Sequence, residues 1–202
     1  GPMLGLTAMP NGIFAGFTGR RVCFSEPYLP HAWPASYRVA VEEDIVGLGA
    51  TTNGLVVLTE KTPYFIAGSD PKAMSIARVE SYLPCLSKNS IVDMGEVILY
   101  ASPDGIVAIA GTQATVLTRS ILSSDQWLSD FYPSSIKAGV WKGRYVGFFT
   151  DGGSTHGGFI LDTRTSTPVF TTLSASNPIK GVYSGPDESG LYVIISNGIE
   201  EF

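Results

Sequence analysis

Residues that carry catalytic or metal chemistry are scarce in this sequence. Its 202 residues include only two cysteines and two histidines. Cys23 and Cys85 stand 62 positions apart, with no CxxC spacing, so zinc-site and thioredoxin-type patterns are excluded. We expect both cysteines to be small, buried hydrophobic residues. No loop clusters carboxylates as a calcium site requires, and we predict no metal and no cofactor.

Long apolar runs and a high charge content are also missing. No stretch approaches the roughly 18 uninterrupted apolar residues that a membrane-spanning helix needs. Charged residues make up 15% of the chain and hydrophobic residues 44%, which excludes intrinsic disorder. Gly1-Pro2 is typical of a cleaved purification tag, and no signal-peptide pattern follows it. We therefore predict a tag remnant at residues 1–2 and a single domain over residues 3–202.

Basic residues are too scattered for a nucleic-acid clamp. The formal net charge is -5, and Arg20-Arg21 is the only basic pair. A nucleic-acid-binding protein places several cations along a phosphate track. We therefore expect no sequence-specific nucleic acid binding, and we expect this pair at a hairpin edge.

A repeated phrase divides the chain into units. Four segments open with a similar short phrase that begins with an isoleucine, and the isoleucines are 46, 45 and 43 residues apart: Ile45, Ile91, Ile136 and Ile179. One period before Ile45, residues 4–8 provide the first strand of an earlier unit. The sequence therefore predicts five units.

Each unit has room for four antiparallel strands. Short runs rich in valine, isoleucine and aromatic residues end at Asn-Gly or Asp-Gly pairs, which supply the positive φ of tight hairpins. Residues 97–100 and 191–195 are apolar without alternation, which indicates sheets covered on both faces. A period of this length with four strands is typical of a β-propeller blade. We predict an all-β fold, a β-propeller of about five four-stranded antiparallel blades, four complete and one partial.

One segment has a helical pattern instead. Residues 123–132 offer a serine or aspartate N-cap, then apolar residues at helical spacing, and stop before Pro133. We predict one short helix near residues 123–132, with Trp127 filling the gap between the third and fourth units.

No catalytic pattern is present, and we predict that the chain is not an enzyme. Ser154, His156 and Asp151 lie too close together on one glycine-rich loop to hold a triad geometry. The remaining candidates are carboxylates beside turns, which are ordinarily solvated: Glu42, Glu43, Asp44, Asp93, Glu96, Asp187 and Glu188.

Two stretches carry a resemblance to a known family. Residues 24–34 read FSEPYLPHAWP, and a second stretch contains TRSI at 118–121, DQW at 125–127, YPSSI at 132–136 and GRY at 143–145. These phrases resemble tail-associated virion structural proteins of tailed bacteriophages and prophages. Podophage nozzle proteins and packaged-DNA stabilisation proteins, several of which contain propellers, are a looser analogy. The resemblance covers most of residues 11–150.

The resemblance implies a virion component rather than a reaction. It implies a rigid docking scaffold at the tail or the portal-to-tail junction, made in the bacterial host cytoplasm. The implied partners are other virion or tail proteins, with a homo-oligomeric ring as one arrangement. Because such proteins are usually longer, we expect the chain to be a fragment of a longer protein.

The best candidate docking surface is the loop of residues 27–34, because three prolines lower the entropy that binding would cost. The predicted partner-binding residues are Tyr28, His31, Trp33, Arg20 and Arg21. Alternatively, Trp33 packs under the first unit. A second hypothesis is a host-glycan module in which Trp33, Trp141 and Tyr183 stack on sugar rings. Trp141 and Tyr183 begin predicted inner strands, however, which favours core packing for these two residues.

Overall fold

The computed structural model describes residues 2–165, 167–185 and 190–202. Gly1, which is part of the predicted tag remnant, and the candidate carboxylates Asp187 and Glu188 therefore lie outside the described residues. The chain divides into two compact units. The first contains the chain up to Cys85 together with Gly95–Ile98 and Ala108–Thr115, and the second contains Leu86–Met94, Leu99–Val107 and Val116–Phe202. A single domain over residues 3–202 stays a prediction.

The first unit is built on two antiparallel sheets whose strands pair in chain order. The first sheet consists of β1 (Gly5–Ala8), β2 (Phe14–Thr18), β3 (Arg21–Phe24) and β4 (Arg38–Ala40). The second sheet consists of β5 (Ile45–Thr51), β6 (Gly54–Thr59), β7 (Tyr64–Ala67) and β8 (Ser75–Arg78). The strand predicted at residues 4–8 forms as β1, and the unit predicted to begin at Ile45 begins there with β5.

One face of each of these two sheets forms the core of the first unit. All six residues of β6 are buried, so this strand is covered on both faces. The core cluster takes alternate residues from the first sheet and combines them with residues of the second: Met9, Ile13, Ala15, Phe17, Val22, Phe24, Tyr37, Val41, Ile45, Ala50, Leu55, Val57, Tyr64 and Ile66. The opposite face of the first sheet is left for the site described below.

The third sheet contains β9 (Val92–Asp93), β10 (Ile98–Ser102), β11 (Gly105–Ala110) and β12 (Gln113–Val116), and both units hold residues of it. Every residue of β10 is buried, as its unbroken apolar run predicts. The first strand begins at Val92, one residue after Ile91, and it follows a 3-10 turn at Lys88–Ser90. There the Ser90 hydroxyl donates to the Ser87 carbonyl at 2.7 Å, a local bond that competes with strand pairing.

Two further antiparallel sheets belong to the second unit. The fourth sheet consists of β13 (Lys137–Trp141), β14 (Arg144–Thr150), β15 (His156–Asp162) and β16 (Val169–Ser174). The fifth has three strands, β17 (Gly181–Ser184), β18 (Leu191–Ile195) and β19 (Gly198–Glu201). Four sheets of four strands and one of three match the predicted four complete units and one partial unit.

The apolar run of β18 behaves differently from the prediction. Leu191 and Val193 are buried against the fourth sheet, whereas Tyr192 and Ile194 are exposed. The prediction that this run is covered on both faces is therefore wrong.

The predicted helix is present as α1 (Ser124–Phe131). Its N-terminus has a capping box, in which the Ser123 hydroxyl accepts the Gln126 amide and the Gln126 side chain accepts the Ser123 amide. The helix ends at Phe131, and its C-cap Tyr132 is in the left-handed region with φ 44°. Pro133 follows and starts the 3-10 turn Pro133–Ser135.

Trp127 connects two sheets of the second unit, as predicted. Its side chain is fully buried, and its Nε1–H donates to the Ser102 carbonyl of β10 at 2.8 Å. Its ring also contacts Phe159 of β15, edge on, with centroids 5.8 Å apart. The helix therefore places one large aromatic side chain against both the third and the fourth sheet.

The turn glycines agree with the prediction in part. Gly12, Gly105 and Gly152 have positive φ, as the hairpin prediction requires. Gly54 and Gly198 do not. At Gly54 the need is space, because a Cβ there would lie 2.5 Å from the Ile66 carbonyl oxygen of the adjacent strand.

Candidate binding site on the first sheet

The segment between β3 and β4 is a loop tied by its own backbone. The Glu26 amide donates to the Ala32 carbonyl at 2.9 Å, and the Ala32 amide donates to the Leu29 carbonyl at 3.0 Å. The Tyr37 hydroxyl adds a bond to the Glu26 carboxylate at 2.8 Å. With three prolines in the same segment, the loop has its conformation set before any partner binds.

Tyr28 projects from this loop in an unusual backbone conformation. Its φ is 60°, and its side chain is 80% exposed. A bulky residue seldom adopts the left-handed region, which costs on the order of 1 kcal/mol. Two contacts hold it there: its amide donates to the Gly12 carbonyl at 2.8 Å, and its ring covers Gly12, where a Cβ would clash at 2.5 Å. These two contacts offset the strain and keep an aromatic ring fixed on the surface.

Trp33 folds back from the loop onto the first sheet. Its Nε1–H donates to the Pro30 carbonyl at 2.8 Å, which fixes the ring within the loop. The half-buried indole lines a cavity of about 140 Å³. The cavity is lined by Met3, Thr18, Arg21, Cys23, Trp33 and Arg38.

Strand register explains why these side chains meet. Arg21 and Cys23 are two residues apart on β3 and therefore share a face, while Val22 and Phe24 point into the core. Cys23 lies opposite Arg38 on β4, and Arg21 lies opposite Thr18 on β2. The cavity is thus on the sheet face that the core does not use. Cys23 and Cys85 are both buried, as predicted.

The charge distribution in this cavity is one-sided. No carboxylate lines it, and within the described ranges neither Arg21 nor Arg38 forms an ion pair. Arg20 behaves differently, because its guanidinium contacts both carboxylate oxygens of Asp44 at 3.2 Å. The hydrogen bond and charge of Asp44 raise the pKa of Arg20 above its ordinary value. Two unpaired cations in a chain of net charge -5 are the distinguishing feature of the cavity.

The structure separates the predicted partner-binding residues into three groups. It brings Arg21 and Trp33 together in the cavity, leaves Tyr28 and His31 exposed on the loop, and pairs Arg20 with Asp44. Partner binding by these residues stays a prediction.

Sequence reasoning missed Arg38. Its position after a long loop gives no signal of proximity to Arg21, because only the β3–β4 register brings the two together.

The carboxylates near residue 43 serve structural roles. Glu43 is only 8% exposed, accepts the Tyr64 hydroxyl at 2.7 Å and lies 3.6 Å from the Arg78 guanidinium. Glu42 contacts the same guanidinium at 3.3 Å. Burial and then the hydrogen bond to Glu43 raise the pKa of Tyr64. The expectation of a solvated carboxylate is therefore wrong for Glu43.

The aromatic residues named for glycan stacking also differ from one another. Tyr183 is 59% exposed, so its predicted core packing is wrong, and its ring lies 6.4 Å from that of Tyr192. Trp141 is half-buried at the end of β13, edge on to Phe202 at 5.3 Å, with the Lys142 ammonium 4.6 Å from its ring centre. Tyr183 and Tyr192 are cross-strand partners on β17 and β18, so both exposed tyrosines lie on the same face of the fifth sheet.

The described ranges contain no group of three or more histidine, cysteine or acidic side chains placed to hold a metal ion. Within the same ranges, no helix has the length and apolar character to cross a membrane.

Solved structures provide the comparison that decides the fold. No protein-family model and no curated protein sequence matches the chain. The N-terminal domain of Nup159 matches 98% of this chain with a TM-score of 0.56 at 11% identity, over 60% of its own length. BBS1N, solved in complex with ARL6DN, matches 98% with a TM-score of 0.57 at 11% identity, over 62% of its length. The fold is a β-propeller.

The five sheets are therefore propeller blades, and the fold prediction is confirmed. At this level of identity the likeness concerns the fold alone. The chain spans about 60% of the length of the solved propellers that it matches. The cavity of Trp33, Arg21 and Arg38 lies on the first blade.

Proposed function

We propose that this chain is a rigid protein-docking scaffold. The observation that carries the proposal is Tyr28, an exposed aromatic side chain held in a strained conformation by Gly12 and by a closed, proline-rich loop. Backbone strain of this kind concentrates at functional positions. Rigid aromatic residues supply large contact area at low entropic cost, which suits a docking surface.

The comparison with BBS1N supports a scaffold role. That propeller is solved in complex with another protein, ARL6DN. In a propeller the strands pair within each blade, which leaves loops to make contacts with partners. A docking loop between two blade strands, as at residues 25–37, fits this arrangement.

We further propose that the scaffold belongs to a bacteriophage virion, at the tail or the portal-to-tail junction. The support is the resemblance of residues 24–34 to tail-associated virion proteins. The same residues form the tied loop and supply Tyr28 and Trp33. The proposed partners are other tail proteins, and a ring of copies of this chain is one possible arrangement.

A virion assembly experiment tests this function. Phage carrying Tyr28→Ala together with Trp33→Ala should lose infectivity or tail attachment, while Tyr82→Ala should assemble normally. Tyr82 is a suitable control because it is also a highly exposed tyrosine of the first unit, at 69% exposure. Immunogold labelling with antibody against this chain should mark the tail of wild-type particles. Normal infectivity of the double variant, or unlabelled particles, would refute the proposal.

A host-glycan module is a second candidate function, favoured by the exposed pair Tyr183 and Tyr192 on the fifth blade. Neighbouring aromatic rings can stack on sugars. A glycan array should then show saturable binding that Tyr183→Ala abolishes. An array without saturable binding would dismiss this candidate.

A further inference from the structure

We propose that the cavity on the first blade binds a carboxylate side chain from an acidic segment of a partner protein. This inference rests on the proposed docking function and adds the chemistry that the partner must present. The cavity residues that would make the contact are Arg21, Arg38 and Trp33.

The first argument is the pairing of arginines throughout the chain. The sequence has seven arginines. In the described ranges five of them form ion pairs with carboxylates: Arg20, Arg78, Arg119, Arg144 and Arg164. The two exceptions, Arg21 and Arg38, line the same cavity. Their shared location indicates a site that is completed by an external anion.

The second argument is the spacing of the two cations. Arg21 pairs with Ala40 across the strands, and Arg38 is two residues from Ala40, so the arginines are diagonal neighbours. Diagonal positions on a sheet face are about 7–8 Å apart, within reach of long side chains. Two like charges at this spacing repel each other. One carboxylate can accept hydrogen bonds from both guanidiniums and remove that repulsion.

The third argument concerns the size and apolar side of the cavity. A volume of about 140 Å³ is below the ~300–1,000 Å³ typical of small-molecule pockets, so a single side chain is the fitting occupant. Met3 and the fixed indole of Trp33 provide an apolar wall. The preferred ligand is therefore a glutamate or aspartate next to an apolar residue. A nucleic acid is disfavoured, because two cations in an acidic chain do not form a phosphate track.

A peptide titration tests the site directly. The probe is acetyl-Glu-Leu-amide, and its control is acetyl-Gln-Leu-amide, which has the same shape without the charge. Binding is followed by NMR through the Nε–H signals of Arg21 and Arg38. We expect saturable shifts with the glutamate probe in the millimolar range. The glutamine probe should bind at least tenfold more weakly. Added salt should weaken binding of the glutamate probe.

Matched variants separate the cavity from general charge effects. Arg21→Gln and Arg38→Gln should each weaken glutamate-probe binding at least tenfold. Arg20→Gln removes the same charge outside the cavity and should leave binding unchanged. Circular dichroism should report a native β-spectrum for all three, since these arginines are exposed.

Several results would overturn the proposal. One is equal affinity for the glutamate and glutamine probes. A second is unchanged affinity of the Arg21→Gln variant for the glutamate probe. A third is saturable binding of N-acetylneuraminic acid or inorganic phosphate when the glutamate probe does not bind. The titration does not depend on Tyr28. Failure of the cavity to bind the probe therefore leaves docking through the loop intact, and failure of the virion experiment leaves probe binding intact.

Discussion

Replacing Trp127 should reveal how strongly α1 stabilises the second unit. The indole is fully buried, stacks on Phe131 at 5.5 Å and meets Phe159 edge on. Truncation of a buried tryptophan to alanine costs about 3–5 kcal/mol. It would also leave the buried Ser102 carbonyl without its donor, which adds about 1–3 kcal/mol. We therefore expect Trp127→Ala to lower the free energy of unfolding by about 5 kcal/mol.

Two companion variants divide this value into its parts. Trp127→Phe keeps an aromatic ring but removes the N–H donor, and we expect a loss of about 2 kcal/mol. Leu128→Ala changes the neighbouring residue of the same helix, whose side chain is 45% exposed, and should cost less than about 1 kcal/mol.

Urea unfolding followed by far-ultraviolet circular dichroism is the suitable assay, because it does not depend on tryptophan fluorescence. The reasoning is refuted if Trp127→Ala costs no more than Leu128→Ala. It is also refuted if Trp127→Phe and Trp127→Ala are equally destabilising, because the ring would then contribute nothing beyond its hydrogen bond. Because domains are stable by only about 5–15 kcal/mol, the alanine variant is close to unfolding, and Trp127→Phe keeps the test measurable.

Two further perturbations test packing and charge in the fourth blade. Gly147→Ala would place a Cβ 2.6 Å from the Phe159 ring, and it should lower the free energy of unfolding in urea by about 1–3 kcal/mol. The control Gly153→Ala, in an exposed loop, should lower it little. Equal losses of unfolding free energy in the two variants would contradict the packing argument. Asp162 accepts hydrogen bonds from Arg164, which lower the pKa of its carboxyl below the ordinary value. Its stabilisation is therefore present above the ordinary carboxyl pKa of about 4 and declines as the pH falls further. Unfolding of wild type should depend more steeply on pH in that acidic range than unfolding of Asp162→Asn, and parallel profiles would contradict the assignment.

Local patterns were sufficient to predict the blades. The repeated isoleucine phrase lies at or just before the first strand of four sheets. The repeat is visible in the sequence because consecutive segments of the chain each form one sheet. The helix over residues 124–131 follows from its N-cap and from Pro133. The helix signals act over a few residues, and the repeat is found by comparing one segment of the sequence with the next, so neither requires knowledge of tertiary contacts.

Burial required the tertiary structure. The apolar run of β18 has one exposed face, and Glu43 is buried, although neither could be read from local pattern. Whether a face of a sheet is buried depends on which other part of the chain packs against it, and a local sequence pattern does not identify that part. Tyr183 was expected in the core for the same reason and is exposed.

Arg20 and Arg21 show the division most clearly. The sequence determined that a basic pair stands at the β2–β3 hairpin, because a short apolar run flanks it on each side. Only the tertiary structure decided that Arg20 meets Asp44 while Arg21 joins Arg38 and Trp33 in a cavity. The reason is geometric: these partners come from distant positions in the chain, and the register of the assembled sheets brings them together.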